Sequence, residues 1–242
     1  MLTDYDLKRY DRQMMVAGWG EAGQEKLKRA KVFIAGAGGL GCPLSIYLAV
    51  AGVGKIKLVD HDKSELSNLN RQILHWDEDV GRRKVDSAGE KLKRINPKLE
   101  LETSGETITQ ENVERLVSGC DAIVDAMDNI ATRYALNRAA QKLKLPLFHG
   151  AIYGFEGRAM TVLPGKTACL ACLYHGETQK VKFPVVGVVP AIIACIEATE
   201  VIKYFVGIGE LLTDRLLIYD GLSMKFMEFS VNRNPNCTVC CD

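Results

Sequence analysis

The chain has 242 residues, 47% of them hydrophobic, and a formal net charge of +1. Such a chain can bury a substantial core in one or two domains, and its near-neutral charge gives no global electrostatic case for nucleic acid or membrane binding. Its uncharged apolar segments are too short to span a bilayer, and a charge at Asp4 argues against a signal-peptide apolar region, so a cytoplasmic location is expected.

Residues 1–28 read as helical, interrupted by Gly18 and Gly20. From 31 to 152, apolar runs alternate with longer amphipathic stretches, the pattern of a parallel sheet covered by helices. The runs predict strands over 31–35, 55–60, about 98–103, 121–126 and 146–151, with helices over 43–51, 111–117 and 129–143. Beyond residue 153 the pattern changes. Gly154-Phe155-Glu156-Gly157 predicts a hairpin turn joining 146–153 to 158–163. Residues 190–206 predict a helix with Pro190 suited to its first turn, and 215–220 and 224–231 predict two late strands. The expected fold class is α/β: a Rossmann-like, mainly parallel sheet flanked by helices and extended by antiparallel strands, in a single domain over 1–242.

The first strand leads into Gly36-Ala37-Gly38-Gly39-Leu40-Gly41, a helix follows, and the next strand ends on Asp60. This is the order of a nucleotide-binding βαβ unit. Gly36, Gly38, Gly39 and Gly41 let the backbone approach phosphate, the helix N-terminus offers free N–H groups, and Asp60 meets ribose hydroxyls. Asp62 competes for the ribose, but Asp60 directly terminates the apolar run. Alone, the unit would suit a nicotinamide dehydrogenase equally well. Three later segments do not: Ser67-Asn68-Leu69-Asn70-Arg71-Gln72, Gly81-Arg82-Arg83-Lys84, and Asp125-Ala126-Met127-Asp128-Asn129. A triphosphate with a reacting phosphorus needs cationic clamps and a carboxylate for magnesium. Asp128, just past a strand end, suits that carboxylate, with Asp125 its competitor. Arg82 and Arg83 read as solvated charges.

Four of the eight cysteines form two C-x-x-C pairs, Cys169/Cys172 and Cys237/Cys240. Four thiolates suit a tetrahedral Zn²⁺, and four protein ligands leave no open position, so the expected role is a structural clip near the C-terminus. Cys241 reads as a spare thiol or a replacement ligand. Cys42 and Cys195 read as small packing residues, and Cys120 lacks a nucleophile context.

Together with Arg9-Tyr10-Asp11-Arg12-Gln13, these segments resemble the MoeB/ThiF family, relatives of the ubiquitin-activating enzymes, over nearly the whole chain. The resemblance implies ATP- and Mg²⁺-dependent adenylation of the C-terminal glycine carboxylate of a ubiquitin-like sulfur-carrier protein ending in Gly-Gly. It implies a helical arm (1–28), a nucleotide-binding half (31–152) and a carrier-binding half holding the zinc (153–242). Arg71 and Lys84 would clamp phosphates, Asn68 and Gln72 would line the nucleotide, and Asp128 would hold Mg²⁺. Arg12 would reach the phosphates of the neighbouring subunit, making a homodimer the catalytic unit. Many relatives carry an acyl-accepting cysteine between residues matching Leu173 and Pro190, and this chain has none there. It is therefore expected to stop at the adenylate and leave sulfur to a separate donor, with His175 an exposed loop residue. The carrier, and so the outcome in molybdopterin, thiamine or related sulfur metabolism, stays open. A peptide or tRNA-borne carboxylate is the alternative substrate, and a non-catalytic partner-binding subunit the alternative role.

Overall fold

The computed structural model describes residues 1–174 and 183–241; His175 and the rest of 175–182 lie outside the described residues. Three helices open the chain: α1 (Asp4–Arg9), α2 (Asp11–Met14) and α3 (Gly20–Arg29). Thr3 and Asp6 form a reciprocal capping box that starts α1. Gly18 and Gly20 both take positive φ, +82° and +57°. They bend the chain into α3, so Gly20 begins a helix as well as interrupting one.

The alternating region follows: β1 (Lys31–Ala35), α4 (Gly41–Ala51), β2 (Lys55–Val59), α5 (Lys84–Ile95), β3 (Glu100–Ser104), α6 (Val113–Val117), β4 (Ala122–Asp125), α7 (Ile130–Leu143) and β5 (Leu147–Tyr153). The remainder is β6 (Glu156–Val162), α8 (Leu170–Leu173), α9 (Val188–Val206), β7 (Arg215–Asp220) and β8 (Lys225–Ser230). Among the described residues one eight-stranded sheet runs in the order β3-β2-β1-β4-β5-β6-β7-β8. Its first five strands are parallel and the last three pairings antiparallel, as the sequence pattern predicts. β3 starts later than predicted because Asn96 turns the chain first: its carbonyl accepts the Leu99 N–H at 3.1 Å and its side chain that of Lys98 at 3.1 Å.

Alternation within β1 explains the layering. Val32 and Ile34 face a core with Leu44 and Leu48 of α4, Leu92 of α5 and Val201 of α9. Phe33 and Ala35 face the opposite core, with Val113 and Leu116 of α6 and Leu136 of α7. Parallel strands covered on both faces must be apolar throughout, and all four residues of β4 are buried. From β1 the chain winds outward through β2, then returns to β4 on the other side. That reversal opens a crevice at the carboxyl ends of β1 and β4. No described helix is long and apolar enough to cross a membrane.

α9 is fastened to the antiparallel extension by a buried acid. Glu200 Oε2 accepts the Thr161 hydroxyl at 2.7 Å and the Leu212 N–H at 2.6 Å, and its other oxygen pairs with Lys203. Replacing Glu200 with Ala leaves a buried hydroxyl and a buried N–H unpaired, and should cost about 3 kcal/mol of stability. Glu200→Gln keeps the acceptor and should cost less. Urea unfolding of the two variants measures both.

Candidate active site and metal centre

Two glycines let the crevice form. Gly36 has φ +102°, and a Cβ there would lie 2.8 Å from the Ala126 carbonyl oxygen. At Gly41 a Cβ would lie 1.9 Å from the Gly36 carbonyl oxygen, so no other residue fits. The loop therefore packs directly on the end of β4, and α4 begins at Gly41 with its N-terminus at the crevice, where Cys42 and Leu44 already donate to the Gly38 and Leu40 carbonyls at 2.9 and 3.2 Å. Gly38 and Gly39 serve a different purpose. Their absent side chains let Gln72 Nε2 approach within 3.6 Å and Arg71 Cγ and Pro190 within 3.4 Å of where a Cβ would sit. The 67–72 segment and the first turn of α9 thus close over the glycine loop.

Asp60 braces the loop from the β2 side. Its Oδ2 accepts the Ala37 N–H at 2.8 Å and its Oδ1 the Asp62 N–H at 2.8 Å. Each carboxylate oxygen has further lone-pair capacity for a ribose hydroxyl. The Ala37 carbonyl is held as well, by His75 Nε2 at 2.9 Å. An acceptor at that position places the ring proton on Nε2, and Nδ1 then accepts from the Ser87 hydroxyl at 2.9 Å. Burial lowers the His75 pKa against the opposing carbonyl, and the charges of Lys84 and Lys91 lower it further, so the ring is neutral. Behind it lies buried Asp79, paired with Lys91 and with Arg82. Burial alone would raise this carboxyl, but the Lys91 ammonium and the Trp76 N–H bring it down to about 2. Arg82, read from the sequence as a solvated charge, is exposed and bridges buried Asp79 to exposed Glu90.

The remaining site residues converge from other segments. Lys84, buried at the start of α5, donates to Asp62 Oδ2 at 2.9 Å. Arg71 is half-buried and donates to the Ser67 carbonyl and Asn70 Oδ1, both at 2.9 Å. Asn68 Oδ1 accepts the Glu65 N–H at 3.1 Å, which shapes the turn before Arg71. Gln72 is buried beside Gly38 with Oε1 unpartnered among the described residues, a donor-seeking oxygen at the loop.

Asp125 and Asp128 part company. Asp125 is fully buried: Oδ1 accepts the Met127 N–H at 3.1 Å, while Oδ2 accepts His149 Nδ1 at 2.7 Å and lies 3.5 Å from Arg133 Nε. Asp128 is exposed and has no hydrogen-bond or ion-pair partner among the described residues, which leaves it the carboxylate open to a cation. Arg12 is not brought into this site. Its neighbour Gln13 donates to the Ala51 carbonyl at 2.7 Å, at the far end of α4 from the glycine loop. The 11 residues of α4 put about 16 Å between those ends.

The four paired cysteines come together. Cys169, Cys172, Cys237 and Cys240 are buried, and their sulfurs lie within 4.8 Å of one another. Three sulfur–sulfur distances are 3.5, 3.7 and 4.0 Å. A tetrahedron of Zn–S bonds has edges of about 3.8 Å, whereas a disulfide is about 2.05 Å. The set fits one zinc ion. Cys241 stands outside it, exposed, with its thiol donating to the Asn234 carbonyl at 3.1 Å. Cys42 is a buried packing residue, as expected, and burial pushes its thiol up to about 12.

A ThiF family profile matches residues 10–239. The chain belongs to the ThiF family. The SAMP-activating enzyme E1 of Haloferax volcanii is 41% identical over 240 residues, covering 97% of this chain and 88% of that protein. The sulfur carrier protein adenylyltransferase of Thermus thermophilus is 41% identical over 251 residues, covering 99% of this chain and 93% of that protein. The crystal structure of E. coli MccB with ATP has a TM-score of 0.87 at 25% identity, covering 99% of this chain and 76% of that one.

Sequence reasoning about this ThiF-family chain missed His75, His149, Arg133 and Glu197. Arg133 is four residues past the Asn129 cap of α7, one helical turn, and so points back to the strand end; that spacing was the available signal. It donates to the Met127 carbonyl at 2.6 Å and the Gly150 carbonyl at 3.2 Å. Glu197 of α9 is fully buried, and a Cβ at Gly150 would lie 2.3 Å from its Oε2. Neither of its oxygens has a hydrogen-bond partner among the described residues. Burial raises its pKa well above 4.5, and the Asp125 charge adds to the effect against Arg133. Glu197 is therefore a neutral acid in the folded chain. A carboxyl whose folded pKa is raised costs stability as pH climbs above its unfolded value near 4.5. Glu197→Gln removes the ionisation. Its melting temperature should fall less between about pH 5 and pH 8 than the parent's, and at the upper end should exceed it by ~3 °C or more. Calorimetric scans across that range check both.

Proposed function

We propose that this ThiF-family adenylyltransferase transfers AMP from ATP to the C-terminal glycine carboxylate of a ubiquitin-like sulfur-carrier protein ending in Gly-Gly. What supports the reading is that Gln72 and Arg71 pack on Gly38 and Gly39, that Lys84 reaches Asp62 beside the Asp60 brace of the same loop, and that Met127, the neighbour of Asp128, packs on Gly36. The names of the two 41%-identical relatives, a sulfur carrier protein adenylyltransferase and an activating enzyme, support the substrate class, and the MccB structure with ATP supports the nucleotide.

In the reaction a carboxylate oxygen attacks the α-phosphorus, the bond to the bridging oxygen breaks, and pyrophosphate leaves. The nucleophile is ionised near neutral pH, so no general base is needed. The barrier is mainly repulsion among anions, and preset cations and dipoles lower it. Gly36, Gly38, Gly39, Gly41 and the start of α4 present backbone to the phosphates, Asp60 takes the ribose, and Asn68 and Gln72 supply amide contacts. Arg71 and Lys84 neutralise the triphosphate, with Lys84 exchanging Asp62 for a phosphate oxygen. Asp128 would hold Mg²⁺, whose charge would offset that of the phosphates.

Arg12, exposed and too far along α4 to serve its own crevice, acts in the site of a second copy. An apolar groove of about 460 Å³ between α4 and α9, lined by Pro43, Tyr47, Ile73, Ile192, Cys195 and Ile196, is the face that a homodimer would bury. The carrier docks on the 153–242 half, a separate donor supplies sulfur to the adenylate, and neither nucleic acid nor membrane takes part. The expected compartment is the cytoplasm.

Pyrophosphate exchange into ATP with candidate carriers ending in Gly-Gly tests the reading, and no exchange with any of them would overturn it. Asp128→Ala and Lys84→Ala should each lower exchange by roughly 10²–10³-fold while leaving the fold intact. The metal centre gives an independent expectation. Elemental analysis should find about one zinc per chain, and Cys169→Ser or Cys237→Ser should lower the melting temperature before it changes nucleotide binding.

A further inference from the structure

Outside the glycine loop, a chain of three polar side chains runs from the end of β4 through β5 to the residue after α8. Asp125 and His149 are register partners on those strands, and both are fully buried. His149 Nδ1 lies 2.7 Å from Asp125 Oδ2, and His149 Nε2 lies 2.9 Å from the Tyr174 hydroxyl. The carboxylate places the ring proton on Nδ1, so Nε2 accepts and Tyr174 donates. Burial lowers the His149 pKa against the opposing Asp125, so the imidazole is neutral; burial also raises the Tyr174 pKa, so the phenol keeps its proton. The donors therefore run one way: Tyr174 to His149, and His149 to Asp125.

Each end of that chain reaches a functional element. At the acid end, Asp125 Oδ1 holds the Met127 N–H, while Arg133 holds the Met127 carbonyl. The residue immediately before Asp128 is thus held at both its N–H and its carbonyl, and the Asn129 side chain caps α7 on the far side through the Thr132 N–H at 2.9 Å. At the phenol end, Tyr174 follows α8, the short helix that carries Cys172. Its carbonyl accepts the Tyr134 hydroxyl at 2.7 Å. A buried histidine serving only to fill space needs one partner, whereas here both nitrogens are committed to a directed chain ending at the Asp128 turn.

We propose that His149 is a positioning residue: through Asp125 it holds the Met127–Asp128 turn in the arrangement that receives a magnesium-bound triphosphate, and Tyr174 orients it for that task. The proposal rests on the reading of Asp128 as the magnesium carboxylate. Without His149, the buried Asp125 Oδ2 keeps only Arg133 Nε, which is 3.5 Å away. Arg133 then closes on Asp125 and gives up the Met127 carbonyl, because a buried carboxylate recovers more from a charged donor than a neutral carbonyl does. The turn loosens where Asp128 leaves it.

The test separates metal-dependent from metal-independent nucleotide binding. ATP affinity is measured by titration calorimetry with Mg²⁺ and again with EDTA, for the parent, Asp128→Ala, His149→Leu, His149→Asn and Tyr174→Phe; zinc content and melting temperature are recorded for each. His149→Leu should weaken binding with Mg²⁺ by about tenfold while affinity in EDTA stays within about twofold. His149→Asn retains an N–H donor to Asp125 and should recover to within about threefold of the parent. Tyr174→Phe, which removes one oxygen, should lose about two- to threefold with Mg²⁺ only. If His149→Leu loses affinity equally in both conditions, or if neither it nor Tyr174→Phe loses any with Mg²⁺, the proposal is overturned. Should His149→Leu fail to fold, Tyr174→Phe with parental Mg²⁺-dependent affinity overturns it alone. If Asp128→Ala keeps the full Mg²⁺-dependent gain, the reading of Asp128 fails and the proposal falls with it. Loss of that gain in Asp128→Ala alone overturns only the role of His149.

Discussion

Two positions without a side chain decide where everything else in the crevice can be. A Cβ at Gly41 would sit 1.9 Å from the Gly36 carbonyl oxygen, and one at Gly36 would sit 2.8 Å from that of Ala126. Only because both are absent can the turn after β1 lie flat against the end of β4. From that contact follow the aim of α4 into the crevice, the reach of Asp60 to the Ala37 N–H, and the closeness of the β4–α7 turn to the phosphate loop.

Close approach of two turns creates a polar problem, which the chain solves in the same way twice. The Ala37 peptide is held at its N–H by Asp60 and at its carbonyl by His75. The Met127 peptide is held at its N–H by Asp125 and at its carbonyl by Arg133. Turn backbone gains no partners from the sheet, and buried N–H and C=O groups left unpaired would cost about 1–3 kcal/mol each. Side chains from neighbouring strands and helices supply the missing bonds and fix both turns. In each case a neutral, buried histidine is part of the support, directly at Ala37 and through Asp125 at Met127. Preset geometry of this kind suits a reaction whose barrier is electrostatic, because donors and charges already in place need no reorganisation as charge moves.

The fold was legible because its pattern is periodic. The apolar runs Val32–Ala35 of β1 and Ala122–Val124 of β4 announce strands buried on both faces, and the late change at residue 153 announces the antiparallel extension. The glycines, Asp60, Arg71, Gln72 and Lys84 were legible as motif residues, and the four cysteines by spacing alone. What escaped was long-range pairing. Nothing local distinguishes His149 from any strand histidine; only the register that sets it opposite Asp125 gives it a partner. Glu197 is the sharper case. A glutamate on a long helix reads as a solvated charge, yet Gly150 on another element leaves the space that its carboxyl fills. Asp125 and Asp128, three residues apart, could not be ranked from sequence, because the difference between them is burial.

The position of Arg12 shows how the same helix that serves the nucleotide also excludes a residue from it. α4 points its N-terminus at the crevice, and an anion gains there from the helix dipole. Its C-terminal end carries the opposite polarity, and the Ala51 carbonyl is taken by Gln13 and Gln24 at 2.7 and 3.0 Å. Those two amides anchor α2 and α3 to the end of α4 that repels phosphate. A cation on α2 can meet a triphosphate only if another molecule presents its own crevice to that surface. The apolar groove between α4 and α9, with Tyr47 half exposed at 51%, lies along the helix that connects the two ends. Burying that face against a second copy would remove apolar surface from water and, under two-fold symmetry, would give each crevice the partner's equivalent of α2. On the proposed reading, the separation that keeps Arg12 out of its own site would make the site a property of the pair.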